Sequence, residues 1–281
     1  MPKFHTANAE LFCRAECIVG EGPFWYAGRL YWVDIFGRKL HSCDNHGRDH
    51  QTISVPCDVG SAAPWANGFI AATKDGIGRL SRDGALTLLP ASPPLSNDFR
   101  FNDGKLDPQG RFWCGSTTYA LKEPVGQLYR VDQNGTVSNV LGGLTLANGL
   151  DWDKDAGLFY FIDTMTHRVD VFDYDAIPGD ISNRRTAFEV PKDFGIPDGM
   201  TRDSSGRLWV ACWGGSHVVA FDPYTGRPVA EVRVPTQLTS SCSIGPDHRT
   251  LYITTARLNL SAETFANEPL AGSVFRAELP K

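Results

Sequence analysis

Four oxygen-bearing side chains stand in related local sequences. They are Glu21 in Gly20-Glu21-Gly22-Pro23, Asn102 in Arg100-Phe101-Asn102-Asp103-Gly104-Lys105, Asn148 in Ala147-Asn148-Gly149-Leu150 and Asp198 in Ile196-Pro197-Asp198-Gly199-Met200. Each is followed by a glycine within two residues. Taken one at a time they read as turn residues in water. Taken together, two carboxylates and two amide oxygens make a hard-oxygen donor set. Such a set suits one divalent cation, Ca²⁺ first, with Mg²⁺, Mn²⁺, Zn²⁺ or Fe²⁺ also compatible. The seven histidines form no His-x-His or His-Glu-x-x-His pair, so a histidine-rich zinc centre is not expected. No Gly-x-Ser-x-Gly elbow is present either, which argues against a serine esterase.

The donor set works only if the fold brings these residues together, and an internal repeat supplies the means. One phrase recurs: glycine, a short aromatic or aliphatic run, a few loop residues, then a second run ending near Asp. It begins at Gly28, Gly68, Gly110, Gly157 and Gly206, and again near Arg249. The steps are 40, 42, 47, 49 and 43 residues. A period of this length built from β-type runs marks propeller blades. The expected fold is all-β, a six-bladed β-propeller formed by one domain over residues 1–281. In the fourth copy the strands are expected at 149–152, 158–163, 168–174 and 185–190. Leu11 to Val19 is expected to supply an outer strand that closes the ring, which removes exposed edges. Glu21, Asn102, Asn148 and Asp198 lie seven to nine residues before their anchor glycines. In a propeller that phase puts them on innermost strands at one end of the central channel. The corresponding positions in the other two copies fall near Ser61 and Ser243. The longest insertions, 116–125 and 256–271, are expected to be loops at one end, able to cover a site.

Composition narrows the partners. The net charge is −5 and charged residues make up 21% of the chain. No cluster of Lys and Arg stands out, so nucleic acid is not an expected partner. No apolar run approaches membrane-spanning length, and the N-terminal residues lack a signal-like apolar segment. The expected location is cytoplasmic, as a monomer or weak homodimer. Seven cysteines without a Cys-x-x-Cys pair read as reduced, mostly structural thiols.

The same segments resemble the SMP-30/gluconolactonase/LRE group, which includes the regucalcins. The resemblance is carried by Gly-Glu-Gly-Pro at 20–23, Arg-Phe-Asn-Asp-Gly-Lys at 100–105, Asn-Gly-Leu-Asp-Trp at 148–152, Ile-Pro-Asp-Gly-Met at 196–200, Leu-Trp-Val-Ala-Cys-Trp at 208–213 and Thr-Ser-Ser-Cys-Ser at 239–243. It spans nearly the whole chain. It implies a six-bladed propeller and a divalent-metal-dependent hydrolase that opens a sugar (aldono) lactone of the gluconolactone type. It implies metal ligands at Glu21, Asn148 and Asp198, substrate binding by Arg100 and Asn102, and Asp198 as general base. Asp103 is the alternative base. Because neighbouring side chains on a strand point to opposite faces, Asp198 is preferred. The chain departs from some relatives at Gly115-Ser-Thr-Thr-Tyr119, which has no acidic residue until Glu123, so contacts from that loop to substrate do not carry over. Two other functions use the same residues: a calcium-binding regulatory protein without catalysis, and a lactonase or esterase acting on a non-sugar ester.

Overall fold

The computed structural model describes residues 5–280. Residues 1–4, part of the N-terminal stretch read above, and residue 281 lie outside the described residues. The chain folds into six antiparallel sheets arranged as a β-propeller. The innermost strands of blades 1 to 6 are Gly20–Tyr26, Val59–Trp65, Phe99–Leu106, Ala147–Asp153, Ile196–Arg202 and Thr239–Ile244. Each pairs outward with the strand that carries the repeat phrase, such as Leu158–Asp163 in blade 4 and Leu208–Trp213 in blade 5. In blade 4 the strands run Ala147–Asp153, Leu158–Asp163, Arg168–Asp175 and Asp180–Glu189. The outermost one starts five residues earlier than the sequence suggested.

The expected segment closes the ring, with a shorter strand. The outer strand of blade 6 is Glu10–Cys13, antiparallel to Val274–Glu278. Residues 14–18 instead form the corner into blade 1, where Glu16 takes a left-handed conformation with φ 57°. The chain before the closing strand is also used. His5–Asn8 runs parallel to Pro228–Arg233 and gives blade 5 a fifth strand.

The apolar periodicity is spent between blades. Six clusters of buried side chains fill the six wedges. For example, Trp113, Leu128, Trp152 and Phe159 lock blade 3 to blade 4, and Trp209, Val232, Ile253 and Phe275 lock blade 5 to blade 6. All seven cysteines are free and buried, consistent with structural thiols.

Two blades are pinned by the same polar device, readable as Asp-x-x-Gly-Arg-x-Trp at 107–113 and 203–209. Asp203 accepts the Ser205 and Arg207 amides, the Arg207 Nε at 2.7 Å and the Trp209 Nε1 at 2.9 Å. Asp107 does the same for Gln109, Arg111 and Trp113, and also accepts the Tyr174 hydroxyl. Removing such a carboxylate leaves a buried indole N–H and a guanidinium Nε–H without an acceptor. Asp203→Ala is therefore expected to lower the urea-unfolding midpoint by an amount worth about 3 kcal/mol. Arg185→Ala, at the half-exposed pair with Asp173, should change stability by less than about 1 kcal/mol.

Candidate functional site

All six innermost strands share one irregularity. Each carries a single extra residue relative to its partner strand at the same level of the channel: after Glu21, Val59, Phe101, Ala147, Pro197 and Thr239. A bulge breaks the in-out alternation and re-aims side chains. Here it turns the polar residues of the repeat phase into the channel. Glu21, Asn102, Asn148 and Asp198 are all buried there, with 3–8% of their surface exposed. Asp103, beside Asn102, is buried as well. In blade 6 the residue at this level is Ser241 rather than Ser243, because the extra residue falls after Thr239. Ser61 is where it was expected, fully buried at the bulge of blade 2.

The glycines of the repeat phase serve mainly close approach. A Cβ on Gly199 would lie 2.0 Å from Ser241 Oγ, and one on Gly149 would lie 2.7 Å from the Asp198 carbonyl oxygen. Neighbouring blades meet so tightly at the axis that a side chain beside Asn148 or Asp198 has no room.

The polar groups are linked. Asn148 Nδ2 donates to Asp198 Oδ1 and, at 3.0 Å, to Thr164 Oγ1. Its own Oδ1 is buried and has no donor among the described residues. Glu21 Oε2 accepts the Gly22 amide at 2.9 Å. Arg100 Nη1 donates to Asn102 Oδ1 at 2.5 Å and to the Phe101 carbonyl at 3.1 Å. Asn102 Nδ2 donates to the Ala147 carbonyl at 2.9 Å, which ties blade 3 to blade 4. Arg100 lies between the rings of Phe36 and Tyr119, 5.6 and 5.9 Å from their centres. The Tyr119 hydroxyl in turn donates to Asp58 at 2.7 Å.

Burial and mutual repulsion dominate the electrostatics. Burial pushes the Glu21 carboxyl well above its usual range, and the charges of Asp198 and Asp103 add to this. Asp198 is raised for the same reasons, burial first and Asp103 second. Asp103 is pushed up to about 6 by burial, against the pull of Lys105 and the Gly104 amide. Three carboxylates this close and this dry favour neutralisation by protons or by a cation. An orphaned amide oxygen on Asn148 beside two such carboxylates is a donor set that fits a hard divalent ion.

Glu21, Arg100, Asn102, Asn148 and Asp198 all line one cavity of about 200 Å³ that opens to solvent. Asp103 does not line it. Sequence reasoning missed Thr164, which holds the Asn148 amide, and the apolar residues of the mouth, among them Met165, Ile196 and Trp213. Both insertions expected to be loops reach it, through Leu121 and Leu258. The second of them folds a short helix, Ala262–Asn267, capped by Ser261.

A second group of ligand-type atoms, Cys17, Asp34 and His41, lies at the junction of blades 6 and 1. Its carboxylate is already committed: Asp34 accepts the Ile18, Val19 and Gly37 amides. Asp163 accepts the Thr145 and Leu146 amides at the matching corner of blade 4. This group is a blade corner, and none of its members lines the cavity.

The comparisons with known proteins agree with the fold. The pattern described as "SMP-30/Gluconolactonase/LRE-like region" matches residues 19–257. The chain is 36% identical over 277 residues to "Putative sugar lactone lactonase YvrE" of Bacillus subtilis, covering 97% of this chain and 95% of that protein. It is also 36% identical over 277 residues to regucalcin of Danio rerio, covering 94% and 93%. Among solved structures, the calcium-binding protein regucalcin of Agrobacterium tumefaciens superimposes with a TM-score of 0.91 at 25% identity, over 100% of this chain and 96% of that one. The chain therefore belongs to the SMP-30/gluconolactonase/LRE-like family, in which relatives are named as lactonases and as regucalcins.

Proposed function

We propose that this protein is a divalent-metal-dependent lactonase that opens a sugar lactone of the gluconolactone type to its acid. The reading rests on one observation: two carboxylates and an orphaned amide oxygen converge, buried, beside a guanidinium at the floor of an open cavity. Glu21, Asn148 and Asp198 would hold the cation, Ca²⁺ first. When bound, the ion would supply Lewis-acid polarisation of the lactone carbonyl and compensation of the buried charge.

The remaining work falls to the chain's own groups. Asp198 accepts the proton of the attacking water. Its dry setting raises its proton affinity, which brings a carboxylate closer to a useful base. Asn148 Nδ2 holds one Asp198 oxygen in place, leaving the other to face water or ligand. Arg100 is fixed by Asn102 and by two aromatic rings. It orients the ring oxygens and favours the carboxylate product. Asn102 keeps one amide hydrogen and one lone pair beyond its two structural bonds, enough to meet a hydroxyl next to the carbonyl. We take the working unit to be a single propeller domain, monomeric or weakly dimeric and cytoplasmic.

The test is a pH-stat or indicator screen of aldonolactones across Ca²⁺, Mg²⁺, Mn²⁺, Zn²⁺ and Fe²⁺. Turnover is expected with at least one of them and should vanish in EDTA. Full activity of the metal-stripped protein would overturn the metal requirement. Several relatives are named regucalcin, which favours calcium binding without catalysis as the second reading. Calcium binding with no turnover of any lactone would select it.

A further inference from the structure

Two asparagines reach the cavity, and the structure treats their amides differently. The oxygen of Asn102 is occupied, because Arg100 Nη1 donates to it, and its nitrogen donates to the Ala147 carbonyl. In Asn148 both bonds fall on the nitrogen, which donates to Asp198 Oδ1 and to Thr164 Oγ1. The buried Asn148 oxygen has no donor among the described residues. Turned over, this amide would set its oxygen against the Asp198 carboxylate. The partners of the nitrogen thus decide which end of the group is left free.

The two partners differ in how firmly they are held. Asp198 is itself assigned to the cation, so its oxygens are shared with whatever occupies the site. Thr164 is tied to the main chain. It opens the turn Thr164–Thr166 directly after Leu158–Asp163. Its N–H donates to the Leu146 carbonyl at 3.0 Å, and its carbonyl accepts the His167 N–H at 3.1 Å. Asp163, next to it, accepts the Thr145 and Leu146 amides. Thr164 is therefore anchored to the residues that lead directly into Ala147 and Asn148. It is buried and lines the cavity.

The repeat supplies a comparison. Ile35 in blade 1 makes the same main-chain bond to Val19, and Ala256 in blade 6 makes it to Leu238, each at 2.9 Å. Both side chains are apolar and buried, which is what packing alone asks of this position. Of the three blades, blade 4 is the one whose inner strand brings an amide to the cavity, and it carries a hydroxyl there instead. A buried hydroxyl costs free energy unless it is bonded, and the bond this one makes is to Asn148.

We propose that Thr164 is a positioning residue whose hydroxyl fixes the Asn148 amide with its oxygen presented to the cation site. This rests on the metal-dependent reading above and extends it to a residue that holds no cation itself. Loss of such an outer partner costs about ten- to a hundredfold in metal affinity.

The test titrates Ca²⁺ by calorimetry into the metal-free wild type, Thr164→Val and Thr164→Ser. Valine keeps the branched shape without the hydroxyl; serine keeps the hydroxyl without the methyl. Thr164→Val is expected to bind about tenfold more weakly, and Thr164→Ser to recover most of that loss. A second readout needs no cation. NMR relaxation of the Asn148 side-chain amide in the metal-free protein should show a rigid group in wild type and Thr164→Ser and a mobile one in Thr164→Val. Both main-chain bonds of Thr164 survive the valine substitution; should that variant still fold poorly, Thr164→Ala reads the same two quantities. An equal loss of affinity in Thr164→Ser and Thr164→Val, or an amide equally rigid in all the proteins, overturns the proposal. The two readings fail separately. If no divalent cation binds wild type but the amide loosens in Thr164→Val alone, the metal-dependent reading falls and the positioning role stands. If Ca²⁺ binds wild type and Thr164→Val equally tightly, the positioning role falls and the metal-dependent reading stands.

Discussion

Replacing Asp198 by asparagine is expected to lower lactone turnover by about a hundredfold or more, the usual worth of a positioned general base. The substitution is nearly isosteric. The Asn148 amide still has an oxygen to donate to, and the bulge and the contact of Gly199 with Ser241 are untouched. What disappears is a charge and the ability to take a proton. The same change removes one of three mutually repelling buried carboxylates, so the metal-free protein should unfold at equal or higher urea concentration than wild type. The paired readout separates lost chemistry from lost structure. Asp103→Asn is the comparison. Asp103 shares the burial but does not line the cavity, and its replacement is expected to cost less than about tenfold. If instead Asp103→Asn abolishes turnover and Asp198→Asn keeps it, the proton acceptor is the residue behind the floor. A carboxylate that both holds a cation and accepts a proton is a weakened base, and this pair of variants measures how much that matters here.

The residues at the floor could be read from the sequence because a repeat of 40–49 residues converts spacing into position. Glycine, two or three large apolar residues and an Asp recur in the first five blades, and the sixth keeps the apolar run; residues in one phase of a propeller must meet at the axis. Phase does not reveal local backbone. No residue type marks the extra residue in each inner strand: it follows Glu21 in one blade, Ala147 in another and Thr239 in a third. Phase alone therefore slips the blade 6 position to Ser243. The closing strand is shorter than expected for a related reason. Leu11 to Val19 reads as a continuous apolar stretch broken only by Arg14 to Glu16, yet Glu16 turns left-handed there. The partner strand Val274–Glu278 lies more than 250 residues away, beyond any local signal. His5–Asn8 has no apolar pattern at all and is held by backbone pairing to Pro228–Arg233. The mouth was illegible because its members are single apolar residues in turns of unequal length. One Leu or Met in a loop is ordinary; only the structure brings Leu121, Met165, Trp213 and Leu258 to one cavity.

In EDTA, the share of thermal stability that the channel carboxylates contribute is expected to fall as the pH is raised from about 4 to 7, and divalent cation should reverse that trend. The sign follows from the direction of the shifts. Glu21, Asp103 and Asp198 all hold protons more tightly when folded than an ordinary carboxyl near 4. Between the unfolded and folded values the native state binds more protons, so raising the pH favours unfolding. That contribution is complete below pH 4 and is lost as the pH climbs through the folded values, which for Asp103 is about 6. For Asp103 alone it is on the order of 3 kcal/mol. Carboxylates with lowered values, such as Asp203, act in the opposite sense only at or below pH 4, but His41, which burial lowers to about 3, and His50, lowered likewise, act in the opposite sense up to about pH 6.5, so the channel group is read as the difference between wild type and Asp103→Asn. A cation needs the same groups deprotonated. Its stabilisation, about 2.7 kcal/mol at a hundredfold excess over Kd, should therefore grow with pH just where the metal-free protein weakens. Scanning calorimetry in EDTA and in Ca²⁺ at half-unit pH steps reads both trends, and the melting temperature of wild type relative to Asp103→Asn should fall with pH in EDTA, the histidine contribution being common to both proteins. A difference that stays flat or rises between pH 4.5 and 7 without metal would mean that Lys105, Arg100 and the backbone amides already satisfy these carboxylates, leaving no charge for a cation to balance.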